Sequence, residues 1–148
     1  MSHEKGSSTV GTPRHLWIVG VLGVLWNLMG AFDYVMTQTR TESYMSRFTP
    51  QQLEYFYAFP RWATAFWAIA VWGGVVGTAL LLVKKRQAAP ILLTSLVAMI
   101  VTSVYNFVLS SGLEVMGRGA VAFSILIFLA ALGLWLYARA MTQRRVLV

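Results

Sequence analysis

Six polar side chains recur along one otherwise apolar stretch of this chain: Ser95, Thr102, Ser103, Asn106, Ser110 and Glu114. On a helix they fall within an arc of roughly 120°. An earlier apolar stretch carries a narrower stripe of Gly20, Gly23, Asn27, Gly30 and Tyr34. Hydrocarbon cannot satisfy such groups, so each stripe must face protein or water. Two uses fit that requirement. The stripes can pack helices against one another, with asparagine and hydroxyl groups bonding across the seam, or they can line a site or path for a small polar solute or ion. Four ionisable residues, Asp33, Arg61, Glu114 and Arg118, fall near the ends of apolar runs. Two acids and two bases at one depth can form a paired rim or contact a solute. Glu114 and Arg118 are spaced to pair locally if the turn between them is helical. Asn27, Asp33, Asn106, Glu114, Arg61 and Arg118 are therefore the candidate binding residues. Gly73-x-x-x-Gly77 is a packing motif that brings helices close, within the bundle or between protomers.

Covalent and metal chemistry find little support. The chain has no cysteine, which removes thiolate ligands, thiol redox relays and disulfides. His3 and His15 both lie in a polar N-terminal stretch with no acidic cluster beside them. No GxSxG, HExxH, P-loop or GxGxxG pattern occurs. Asp33 and Glu114 are the one pair left for acid–base work. The expectation is a protein that is not an enzyme, with no catalytic residues, no metal and no cofactor.

The elements that must position these residues are membrane helices. Of 148 residues, 57% are hydrophobic and 11% charged, against roughly 45–50% and 25% in soluble domains. Four apolar runs cover residues 16–36, 62–83, 91–109 and 120–138, each near the length of about 20 residues that a span needs. The first run is too long for a signal-peptide core and lacks an A-x-A cleavage site, so it reads as a retained anchor. Residues 1–15 read as a flexible polar tail and residues 139–148 as a basic tail. Between the first two runs, Thr49-Pro50-Gln51-Gln52 has the form of a capping box with proline at the first helical position. It predicts a short interfacial helix with Leu53, Phe56 and Tyr57 on one face. The predicted fold is all-α: a membrane four-helix bundle plus that helix.

The net charge of +7 would suggest nucleic acid in a soluble protein, but no basic patch with interleaved aromatics exists here, and nucleic acid is not an expected partner. The cations instead set orientation. Lys5, Arg14, Lys84, Lys85, Arg86, Arg139, Arg144 and Arg145 lie in the tails and middle loop, against Arg40, Arg47, Arg61 and Arg118 in the other two loops. The positive-inside rule then places both termini in the cytoplasm. The two hairpins also echo each other. RWATAF at 61–66 matches RGAVAF at 118–123 in four of six positions, and Trp26-Asn27-Leu28 parallels Tyr105-Asn106-Phe107. A tandem hairpin duplication would be parallel, with its pseudo-twofold along the membrane normal.

The motifs WNLMGAFDY, AVWGGVVGTALLLVKK and VYNFVLSSGLEVMGRG resemble a family of small bacterial four-span membrane proteins, over about residues 16–138. Members are loosely labelled sugar transporters or uncharacterised membrane proteins. The resemblance implies a bacterial inner membrane and a transport-like role on a small polar solute. The alternative is an accessory or scaffold subunit that grips another membrane protein or a second copy of itself. Either way, membrane lipid is a partner.

Overall fold

The structure, a computed structural model, describes residues 10–148; the first nine residues of the predicted N-terminal tail lie outside it. The described chain is all-helical. In order, the elements are α1 (Arg14–Gln38), α2 (Glu42–Met45), α3 (Pro50–Tyr57), α4 (Arg61–Leu82) and α5 (Ala88–Val104). A π-helical turn (Tyr105–Leu109), α6 (Gly112–Met116) and α7 (Arg118–Gln143) complete it. Four helical segments, Arg14–Gln38, Arg61–Leu82, Ala88–Leu109 and Arg118–Gln143, are long and apolar enough to cross a membrane. The chain is a multi-pass four-helix membrane protein.

Local chemistry explains the helix ends. Prolines precede α1 and α4: Pro13 and Pro60 hold φ near −68° and −66° with extended ψ, and their carbonyls accept from Leu16 and Thr64. Proline starts a helix without loss, because its missing N–H would be unpaired there anyway. The predicted capping box forms as expected, with Gln52 N–H donating to Thr49 Oγ1 and Thr49 N–H donating to Gln52 Oε1. Three helices end on a basic residue in the left-handed region: Arg40 at φ 52°, Lys84 at 58° and Arg145 at 57°. The following N–H groups of Thr41, Lys85 and Val146 reach back to the carbonyls of Met36, Leu80 and Met141, closing Schellman motifs. A cation at that place faces the negative end of the helix dipole.

Helix α4 is the centre of the bundle, packed between α1 and α5, and α7 lies against α5. Small residues make the seams. Gly77 admits Leu92 and Gly73 admits Ser95 on the α5 side, while Gly74 admits Asn27 on the α1 side. Ser95 Oγ donates across the α4–α5 seam to the Ala70 carbonyl at 2.5 Å. The GxxxG glycines thus pack α4 against α5 within one chain. Helices α1 and α7 meet more sparsely, with Leu134 over Gly23, Tyr137 beside His15 and Phe123 beside Trp26. Under a hairpin twofold the α1–α7 contact would be the equivalent of α4–α5. Arg61 and Arg118 do open α4 and α7 in matching positions, but the two seams differ in closeness.

The apolar core sits at the end where the termini lie, formed by Leu16, Leu81, Ala88, Leu92, Ala138, Met141, Val146 and Leu147. The sequence suggested a basic tail from residue 139; instead α7 runs to Gln143 and Val146 and Leu147 are buried. Val148 N–H donates to the Lys84 carbonyl, and the Val148 carbonyl oxygen accepts from Arg86 N–H, so this end of α7 is clamped to the α4–α5 loop. Elsewhere the long helices expose large side chains such as Ile18, Leu22, Met29, Val108 and Ile125. Such surface needs lipid or a partner to cover it.

Candidate functional site

The end of the bundle opposite the core holds the polar and aromatic side chains. It is built where α5 gives way to the π-helical turn Tyr105–Leu109. A π turn widens the backbone and misaligns its carbonyls, which is why it recurs at functional positions. Here Asn106 lies within it, and Asn106 Oδ1 accepts from Tyr55 Oη of α3 at 2.8 Å. Tyr55 Oη also lies 2.8 Å from Ser110 Oγ, which donates to the Asn106 carbonyl at 3.0 Å. A Cβ at Gly112 would stand 2.2 Å from that carbonyl and 2.7 Å from Tyr55 Oη. Only glycine lets α6 close over the triad. Burial pushes the Tyr55 phenol up, its contact with Ser110 opposes this, and nearby Tyr105 adds to the rise. Tyr55 therefore remains a neutral donor.

Aromatic rings continue from Tyr55 around this end. Phe59 packs edge-on to Tyr55 and Tyr105, and Trp67 packs against both Phe59 and Tyr34. Between α1, α3 and α4 they leave a cavity of about 100 Å³ lined by Thr37, Gln38, Arg40, Phe56, Tyr57, Phe59 and Thr64. The Arg40 guanidinium stands 4.2 Å over the Tyr57 ring. Hydroxyls, an amide and a guanidinium beside aromatic faces can hold a small hydroxylated or anionic molecule.

The sequence candidates do not converge on that cavity. Asn27 lies within the α1–α4 seam, where Nδ2 donates to the Gly23 carbonyl at 2.8 Å. Asp33 accepts from Tyr44 Oη of α2 at 2.5 Å. Burial, that hydrogen bond and the Asp33 charge push the Tyr44 phenol up to about 12, with Arg47 opposing. Arg61, Glu114 and Arg118 are exposed, and no ion pair within 4.0 Å forms a rim among the described residues. Glu114 and Arg118 do not share a helix, because Gly117 at φ 81° breaks the chain between α6 and α7. Among the described residues Asp33 bonds to Tyr44 and not to Glu114. Asn106 alone of the candidates joins the polar cluster.

Sequence reading missed Tyr55, Thr37 and Arg40. It grouped Leu53, Phe56 and Tyr57 as the contact face of the short helix, yet Tyr55 makes the tie to α5. Periodicity finds an apolar face; it does not reveal which hydroxyl meets an asparagine about fifty residues away. No protein-family model, curated protein or solved structure compared with the chain matches it.

Proposed function

We propose that this is a bacterial inner-membrane protein, both termini cytoplasmic, that binds a small polar solute at its outer face in a transport-like role. The observation that carries the reading is the polar cavity beneath α3, lined by Thr37, Gln38, Arg40 and Thr64 among aromatic rings. Its volume of about 100 Å³ matches about three water molecules. A larger solute would need α3 to swing outward on its Tyr55–Asn106 tie. The opposite end is filled by the apolar core, so passage would require that end to open as well. The positive-inside bias supports the orientation, and the resemblance to small four-span proteins supports the bacterial inner membrane. Asp33, Arg61, Glu114 and Arg118 lie outside the cavity lining; on this reading they act on an approaching solute through their charge and not by contact.

A second reading, an accessory subunit gripping a copy of itself or another membrane protein, draws on α7. None of the most apolar 18-residue window of α7 is buried. Proteoliposome uptake of small sugars and other polar solutes tests the first reading. Wild type should exceed empty liposomes, Arg40→Gln and Thr37→Val should abolish the excess, and Asp33→Asn and Glu114→Gln should change it. No uptake by wild type, with a second membrane protein copurifying, would favour the accessory reading.

A further inference from the structure

A second concavity lies on the outward side of α1, away from the α3 cavity. It has a volume of about 510 Å³ and is lined by Leu25, Leu28, Met29, Phe32, Tyr44 and Arg47. Its lower wall is a run of exposed apolar side chains recurring at three- and four-residue steps, so they form one strip along the helix. From residue 25 to residue 32 that strip rises about 10 Å, or about two thirds of one hydrocarbon leaflet. Its upper wall is α2, which folds back over α1. The Asp33–Tyr44 hydrogen bond and the edge-on packing of Phe32 against Tyr44, with centroids 5.6 Å apart, hold that overhang.

Arg47 closes the top of the concavity. Its guanidinium carbon lies 4.2 Å from the Tyr44 ring centroid, and Nε donates to the Tyr44 carbonyl at 3.2 Å. No carboxylate lies within 4.0 Å of it among the described residues. The nearby Asp33 carboxylate is already engaged by Tyr44. The guanidinium is thus fixed on one side while its terminal N–H groups keep free donors, the arrangement suited to bidentate phosphate contact. We propose that this groove is a binding site for a single glycerophospholipid, with an acyl chain along Leu25, Leu28, Met29 and Phe32 and the phosphodiester on Arg47. A cation at the mouth of an apolar strip matches a molecule whose charge and hydrocarbon are joined at the same spacing. Bulk annular lipid needs no such overhang. The site is independent of the solute reading.

Native mass spectrometry of the full chain tests it, using phosphatidylglycerol and a diacylglycerol with the same acyl chains as probes. After washing in mild detergent, wild type should retain one phosphatidylglycerol and lose the diacylglycerol, which lacks the phosphate. Arg47→Gln should cut the retained phospholipid about tenfold, the scale of one lost charge-assisted contact. Met29→Trp, which fills the strip from a lipid-facing position, should lower retention without touching the charge. Circular dichroism checks that both variants are folded. Equal loss of the two probes from wild type overturns the proposal, as does wild-type retention of phosphatidylglycerol by a folded Arg47→Gln.

Discussion

Replacing Gly74 with alanine tests whether the α1–α4 seam is as close as described. A Cβ there would lie 2.1 Å from Asn27 Oδ1 and 2.8 Å from Asn27 Cγ. The Asn27 side chain would have to rotate away and give up its 2.8 Å bond to the Gly23 carbonyl. Such a bond within a membrane helix bundle is worth about 0.6 kcal/mol. Forcing one methyl into a packed seam costs about 1–3 kcal/mol, and the better helix propensity of alanine returns up to about 1 kcal/mol. The net expectation is a loss of about 1–2 kcal/mol. Asn27→Ala removes the obstacle, so Gly74→Ala in that background should cost less than about 0.5 kcal/mol, leaving a coupling of about 1 kcal/mol or more. Gly133→Ala is the control, since a Cβ there meets nothing within 4 Å. Reversible unfolding in mixed micelles, followed by circular dichroism, measures wild type and all four variants. Equal destabilisation by Gly74→Ala in the presence and absence of the Asn27 side chain would falsify the contact.

Three further outcomes are expected. Reporters fused after residue 86 and at the C-terminus should read cytoplasm and one near residue 45 periplasm; a periplasmic C-terminus reverses the orientation. Tyr55→Phe removes the bonds to Asn106 and Ser110, worth about 1–2 kcal/mol together. Amide exchange across α3 should then rise by about tenfold while exchange in α4 holds, and unchanged α3 protection would show that its rings, not its hydroxyl, hold it. Tyr44 is raised from 10.0 to about 12, so its neutral phenol supports the fold fully below pH 10 and loses that support as pH climbs toward 12. Tyr44→Phe should flatten this alkaline part of the stability profile and remove one late-titrating ring from the tyrosinate absorbance.

Three things were legible in the sequence: four spans, the start of α3 and the all-helical class. Each rests on local physics. Length and hydropathy define a span, and Thr49, Pro50 and Gln52 form their cap within one turn. The small residues also announced close seams, but their spacing does not say which helix each meets. Gly73 and Gly77 turn toward α5 while Gly74 turns toward α1, because 100° per residue puts neighbours on different faces. The rim of Asp33, Arg61, Glu114 and Arg118 was plausible from depth alone. Gly117 defeats it by ending α6 before Arg118, and Tyr44 by reaching Asp33 first. The polar cluster lay beyond sequence reading for a related reason. Asn106 stood out as an asparagine in hydrocarbon, whereas its partner Tyr55 is one of several aromatics on a short helix. Hydropathy depends on each residue alone and so survives in the sequence. Pairing depends on how α3 lies over the π turn, a relation between distant segments that only the tertiary packing creates.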